Sequence, residues 1–146
     1  VQVRADSDAD LHATLRVLLA GLAAGAPVFL STAVKLPVSV QGVLENHGVK
    51  IIVESDDEYR QWLSKQAQRD VREFEGGPLG GSRIRLVGSD ALGIFEALGG
   101  RPDIAVYTQP VTEAGTIEML PFVKEQAVSI TAHRFGNPDR FSEGVI

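Results

Sequence analysis

The run "DSDADLHATLRVLLAGLAAGAPVFLS", residues 6–31, contains the change of period on which the fold turns. Leu11, Leu15, Leu18 and Leu22 recur at three- or four-residue spacing and make one apolar face of a helix. Ser7 or Asp8 is expected to cap that helix, because a short side-chain oxygen satisfies the free N–H groups of a first turn. Gly25 is expected to close it in the left-handed conformation. "PVFLS" then abandons the helical period and reads as a short buried strand, and the chain itself opens at Val1 on what reads as another.

The same alternation continues outward. In "LPVSVQGVLENHG", Pro37 suits a first helical turn and Asn46-His47-Gly48 supplies the stop. "VKIIVE" is a continuous apolar strand, the type expected in a parallel sheet covered on both faces. Ser55 and Glu58 stand at capping-box spacing, and Tyr59, Trp62 and Leu63 give the helix behind them an apolar stripe. "EFEGGPLGGS" breaks the pattern as a connector. "RIRLVGS", "DALGIFEALGG" and "DIAVYTQ" then predict strand, short helix and strand. A helical turn or two around residues 117–126 should be irregular or restart at Pro121, and "AVSITAH" reads as a last strand. Strands alternating with helices predict an α/β fold, Rossmann-like, with a mostly parallel sheet and helices on both faces.

Composition narrows the function. The chain has 146 residues, enough for one core, and its 44% apolar and 23% charged content is that of a globular domain. A formal charge of -5 with no basic cluster argues against nucleic acid as a partner. No apolar run approaches the roughly 18 residues of a membrane span. The absence of cysteine excludes disulfides, thiolate metal sites and cysteine nucleophiles, and fits a cytoplasmic protein. A first residue of Val1 in place of Met is what a piece of a longer polypeptide would show.

Open α/β sheets hold ligands at the carboxyl ends of their strands. "GGPLGG" has glycines but precedes its strand, and so suits a mobile connector better than a phosphate cradle. "VGSD" lies between strand and helix, but Asp90 is expected to cap that helix with its own carboxylate and repel a phosphate. His12 should be a solvated helix residue and His47 part of a helix-ending turn. Glu54, Asp56, Asp57 and Glu58 could ligate a metal, but acidic residues are favoured at a helix N-terminus in any case, and no histidine is near. Ser31, Thr32 and Ser89 would be nucleophiles only beside a base, and none is evident. No catalytic, cofactor-binding or metal-binding residue is assigned.

Two segments resemble known families. "LAGLAAGAPVFLSTAVKLPVSVQGVLENHGVKIIVES" resembles the cofactor-domain segment of aldehyde dehydrogenases, and "RIRLVGS" is similar to a later segment of that superfamily. "GTIEMLPFVKEQAVSITAHRFGNP" closely resembles the C-terminal end of the long bacterial proline utilization A (PutA) proteins. Those bifunctional enzymes join a flavin-dependent (FAD) proline dehydrogenase to an NAD-dependent glutamate-semialdehyde dehydrogenase. Their longer members end in a non-catalytic aldehyde-dehydrogenase-like domain. The resemblance implies such a domain over residues 1–138, including a C-terminal motif at about 125–138, followed by a tail at 139–146. The departures are informative. The lysine that holds the cofactor ribose in the superfamily falls on Ser31, the glutamate after it on Val34 and the general base on Ala97, while the thiol has no counterpart. The implied domain therefore carries no cofactor of its own, while the parent protein would use FAD and NAD.

The ending "SITAHRFGNP" loses any single apolar face after Ile130, and Pro138 cannot donate to a ladder. From the residues alone it is either a docking arm or a strand end with a solvated His-Arg pair. As an arm, Arg134 would clamp a carboxylate, Phe135 fill a pocket and Gly136 let the chain turn. The resemblance implies the arm, since in the family this tail is associated with sealing the passage between two active sites. Thr131, His133, Arg134, Phe135, Gly136 and Asn137 are then the expected interface. The expected partner is the catalytic dehydrogenase domain of the same or a neighbouring chain, and the expected role is to support its activity and channel the intermediate. The alternatives are an NAD-binding α/β domain and a free-standing small α/β enzyme.

Overall fold

A computed structural model describes residues 1–68 and 83–124, together with the backbone of 133–134 and 137–138. Five strands, β1 (Gln2–Ala5), β2 (Phe29–Thr32), β3 (Lys50–Val53), β4 (Arg83–Val87) and β5 (Ala105–Tyr107), form one sheet in the order β3-β2-β1-β4-β5. Every neighbouring pair is parallel. The helices between them are α1 (Leu11–Ala23), α2 (Val38–Asn46), α3 (Asp56–Ala67) and α4 (Ala91–Leu98), followed by the single turn α5 (Gly115–Glu118). The fold is α/β and Rossmann-like, as the alternating periods predict.

Alternation of side chains along the strands divides the core into two layers. Val3, Ala5, Leu30 and Val87 point to one side, where Val17 and Leu18 of α1 and Leu44 of α2 cover them. Ile84 and Leu86 point to the other, against Tyr59 and Leu63 of α3 and Ile94 and Leu98 of α4. Each fully buried aliphatic side chain contributes about 1.5–3 kcal/mol, so both layers are needed to offset the entropy of ordering so short a chain.

Local signals near helix ends are largely met. Ser55 caps α3 through the full reciprocal box: the Glu58 N–H donates to Ser55 Oγ and the Ser55 N–H to the Glu58 carboxylate. Gly25 follows α1 at φ 66°. Pro121 does interrupt the last helix, which ends at Glu118 and resumes as a 3-10 turn over Leu120–Phe122. Pro37 lies just before α2, not in its first turn.

Three expectations are corrected. The cap of α1 is Asp10, whose Oδ2 accepts the Ala13 N–H at 2.8 Å. Ser7 and Asp8 stand too far ahead of the first turn, which starts at Leu11, and the Asp8 carboxylate accepts from Ser89 Oγ instead. Asp90 does not cap α4 with its carboxylate, which instead meets the Arg60 guanidinium. β3 is not a strand covered on both faces. It is the edge of the sheet, with Ile52 39% and Val53 50% exposed.

The connector "EFEGGPLGGS", the expected strand residues 127–132 and the tail 139–146 lie outside the described residues.

Candidate functional site

From β1 the strand order runs outward through β2 to β3, then resumes on the opposite side of β1 with β4. The crevice between the carboxyl ends of β1 and β4 is therefore the switch point, where folds of this order bind nucleotides. Asp6 follows β1 at this point, and Gly88, Ser89 and Asp90 follow β4. Asp6 is 2% exposed. Its Oδ2 accepts the Ser89 and Asp90 N–H groups at 2.7 and 2.8 Å, and its Oδ1 accepts the Asp8 N–H at 2.9 Å. Ser89 Oγ donates to Asp8 at 2.6 Å.

The arrangement is an anion cradle already holding an anion. N–H groups at the start of a helix are a ready anion site. Here the chain supplies its own carboxylate. Gly88 makes this possible, because at φ 128° it passes so close to Asp6 that a Cβ would fall within the carboxylate. A phosphate entering here would have to displace a buried charge and face Asp8 and Asp90 as well.

A second polar network spans β1, β2 and the start of α3. Arg4 is 1% exposed, and its Nη1 donates to Ser31 Oγ at 2.6 Å and its Nη2 to Asp56 Oδ1 at 2.6 Å. Both amino groups also reach the Glu54 carbonyl at 3.4 Å, and the guanidinium lies 4.5 Å from the centre of the Tyr59 ring. Ser31 Oγ in turn donates to Glu54 Oε1 at 2.7 Å. Ser31 is thus buried in the sheet, held by an arginine on one side and a carboxylate on the other. Sequence reasoning missed Arg4 and Asp6. Their one signal was the unusual "VRAD" end of an apolar strand.

Burial alone would raise the Asp56 pKa, but hydrogen bonds from Ser7 and from Arg4 outweigh it and hold the carboxyl below its ordinary value. The folded pKa is depressed, so the stabilisation is complete above about pH 4, the ordinary carboxylate value, and is lost as pH falls through the lower folded value. Asp56→Asn should lower stability at neutral pH and flatten its decline below about pH 4. Urea midpoints measured across that window check this, and an unchanged acid slope would contradict it.

The remaining candidates are dispersed. The side chain of His12 is 88% exposed, and His47 caps the end of α2. Asp57 pairs with Arg60 at 2.5 Å and Glu58 with Ser55, so the acidic group after β3 is divided among separate donors. Thr32 Oγ1 donates to the Val34 carbonyl within its own turn, and Ala97 packs against the α3–α4 core. A cavity of about 210 Å³ lies beside β5, away from the switch point. Its polar floor is Arg85 and Glu118, an ion pair of 2.9 Å in which both partners are almost wholly buried.

Of the expected interface residues, His133 and Arg134 pair antiparallel with Asn137 and Pro138, in register His133↔Pro138 and Arg134↔Asn137. This two-stranded ladder is separate from the five-stranded sheet. Pro138 stands in it opposite His133, although it has no N–H to donate. Thr131, Phe135 and Gly136 lie outside the described residues. Among the described residues no helix is long and apolar enough to cross a membrane. Comparison with protein-family models, curated proteins and solved structures finds no match to this chain.

Proposed function

We propose that the chain is a non-catalytic C-terminal domain of a bifunctional enzyme that converts proline to glutamate. It packs on the glutamate-semialdehyde dehydrogenase domain and helps enclose the intermediate. Enclosure keeps a reactive aldehyde from bulk water. The observation that carries the reading is the Asp6 carboxylate, which occupies the N–H groups after β4 at the switch point. Ser31, locked between Arg4 and Glu54 in place of a ribose anchor, supports it. A sheet with this strand order, a filled anion cradle and no thiol contributes surface and shape. The resemblance of residues 115–138 to the proline utilization A terminus supplies the partner.

The strand order itself favours a second reading, a domain that still binds NAD for a neighbour. Calorimetric titration of the chain with NAD separates the two. No measurable heat is expected, and saturable binding would establish the second reading. Removal of this domain from the full-length enzyme should lower coupled proline-to-glutamate turnover, and unchanged coupled kinetics would overturn the proposal.

A further inference from the structure

We propose that the outer edge of β3, which pairs with no strand among the described residues, pairs antiparallel with β3 of a second copy of this chain, about a two-fold axis at Ile52. Exposed sheet edges are ordinarily blunted by charge, proline or a bulge, because their free N–H and C=O groups recruit other strands. β3 is blunted only at its start, by Lys50, and leaves Ile52 and Val53 39% and 50% exposed. The helix packed on it, α2, also leaves Val38 and Val43 exposed.

Register follows from the backbone. The Glu54 N–H donates inward to the Thr32 carbonyl at 2.9 Å. Successive residues of a strand direct their peptide groups to opposite sides, so Ile51 and Val53 present N–H and C=O outward. In an antiparallel pair centred on Ile52, Ile51 faces Val53 of the other copy. Those two residues are the ones able to exchange both hydrogen bonds, and the two-fold axis repeats the exchange.

The side chains of "KIIVE" fit the same register. Lys50 falls opposite Glu54 of the other copy, whose Oε1 also accepts from Ser31 Oγ, and Ile52 falls opposite its own equivalent, so each two-fold contact joins either opposite charges or apolar groups. A shift by one residue would bring Lys50 against Val53 and lose both charge pairs. The interface is isologous and closes at two copies, joining two five-stranded sheets into one.

Sedimentation velocity from about 1 µM to about 1 mM, the range of weak specific association, reads the pairing directly. Mass is expected to rise toward twice 15.6 kDa. Amide exchange at Ile51 and Val53 should slow over the same concentrations. Lys50→Glu sets like charges opposite each other, and Val53→Pro removes an outward N–H that does not pair with β2. Each should weaken dimerisation about tenfold or more while leaving circular dichroism unchanged. If Val53→Pro impairs folding, Lys50→Glu and the amide exchange still decide the matter. A chain that stays monomeric throughout overturns the proposal and leaves the edge to another protein's strand. A dimer that survives Lys50→Glu, or that leaves the two amides unprotected, also overturns it.

Discussion

Gly88→Ala should destabilise the fold by about 3–5 kcal/mol, combining backbone strain at a φ that disfavours a side chain with the loss of charged hydrogen bonds. Gly88 has φ 128°, and a Cβ there would overlap the Asp6 carboxylate. The clash is relieved by withdrawing Asp6 from the Ser89, Asp90 and Asp8 N–H groups, which lose their carboxylate acceptor. The substitution therefore acts on two strands and the start of a helix together. A double-mutant cycle tests the cause. In an Asp6→Ala background the cost of Gly88→Ala should fall by about 1–3 kcal/mol, the size of coupling between residues in contact. Equal costs in both backgrounds would mean that the carboxylate is not what the methyl group meets.

Glu118→Ala should cost a similar 3–5 kcal/mol, as expected when one member of a buried ion pair is removed. Glu118 Oε2 accepts from Arg85 Nε and Nη2 at 3.2 and 2.9 Å, and Oε1 accepts the Thr112 N–H at 2.7 Å. Arg85 Nη1 continues to the carbonyls of Leu86 and Gln109 at 2.7 and 2.8 Å. Without Glu118 the guanidinium stays buried with only dipoles to face, and the segment after β5 loses its tie to α5. Replacing both partners, Arg85→Met with Glu118→Leu, removes the charge along with its counterion and should cost less than Glu118→Ala alone. Chemical denaturation of the three proteins measures this, and a double variant less stable than the single one would refute the account.

Both sites consist of charged groups held by partners from within the chain. The Asp6 carboxylate accepts the Ser89 and Asp90 N–H groups, and Arg4 and Arg85 fill positions along the strands with groups held by Ser31, Asp56 and Glu118. Tyr59 belongs with them: burial pushes its pKa up, so its hydroxyl stays protonated, and that hydroxyl has no hydrogen-bond partner among the described residues.

What the sequence determined by itself was local. The leucine spacing of α1, the Ser55–Glu58 box, Gly25 after α1 and the break at Pro121 each depend on residues within a turn or two of one another, and each appears where its chemistry requires. The fold class follows from them, because alternating helical and strand periods have few ways to bury both kinds of apolar surface.

Tertiary structure alone decided the site. Asp6 and Ser89 are 83 positions apart, Arg85 and Glu118 are 33 apart, and Arg4 meets Asp56 across 52. Nothing in the strand "VQVRA" says that its arginine will be buried, since the cost of burying it is offset only by partners that other strands bring. The run "KIIV" is equally ambiguous, because an apolar strand reads alike at the centre of a sheet and at its rim. Its place at the rim depends on where the chain returns after α3, a choice made by the packing of whole elements and not by any residue in the strand.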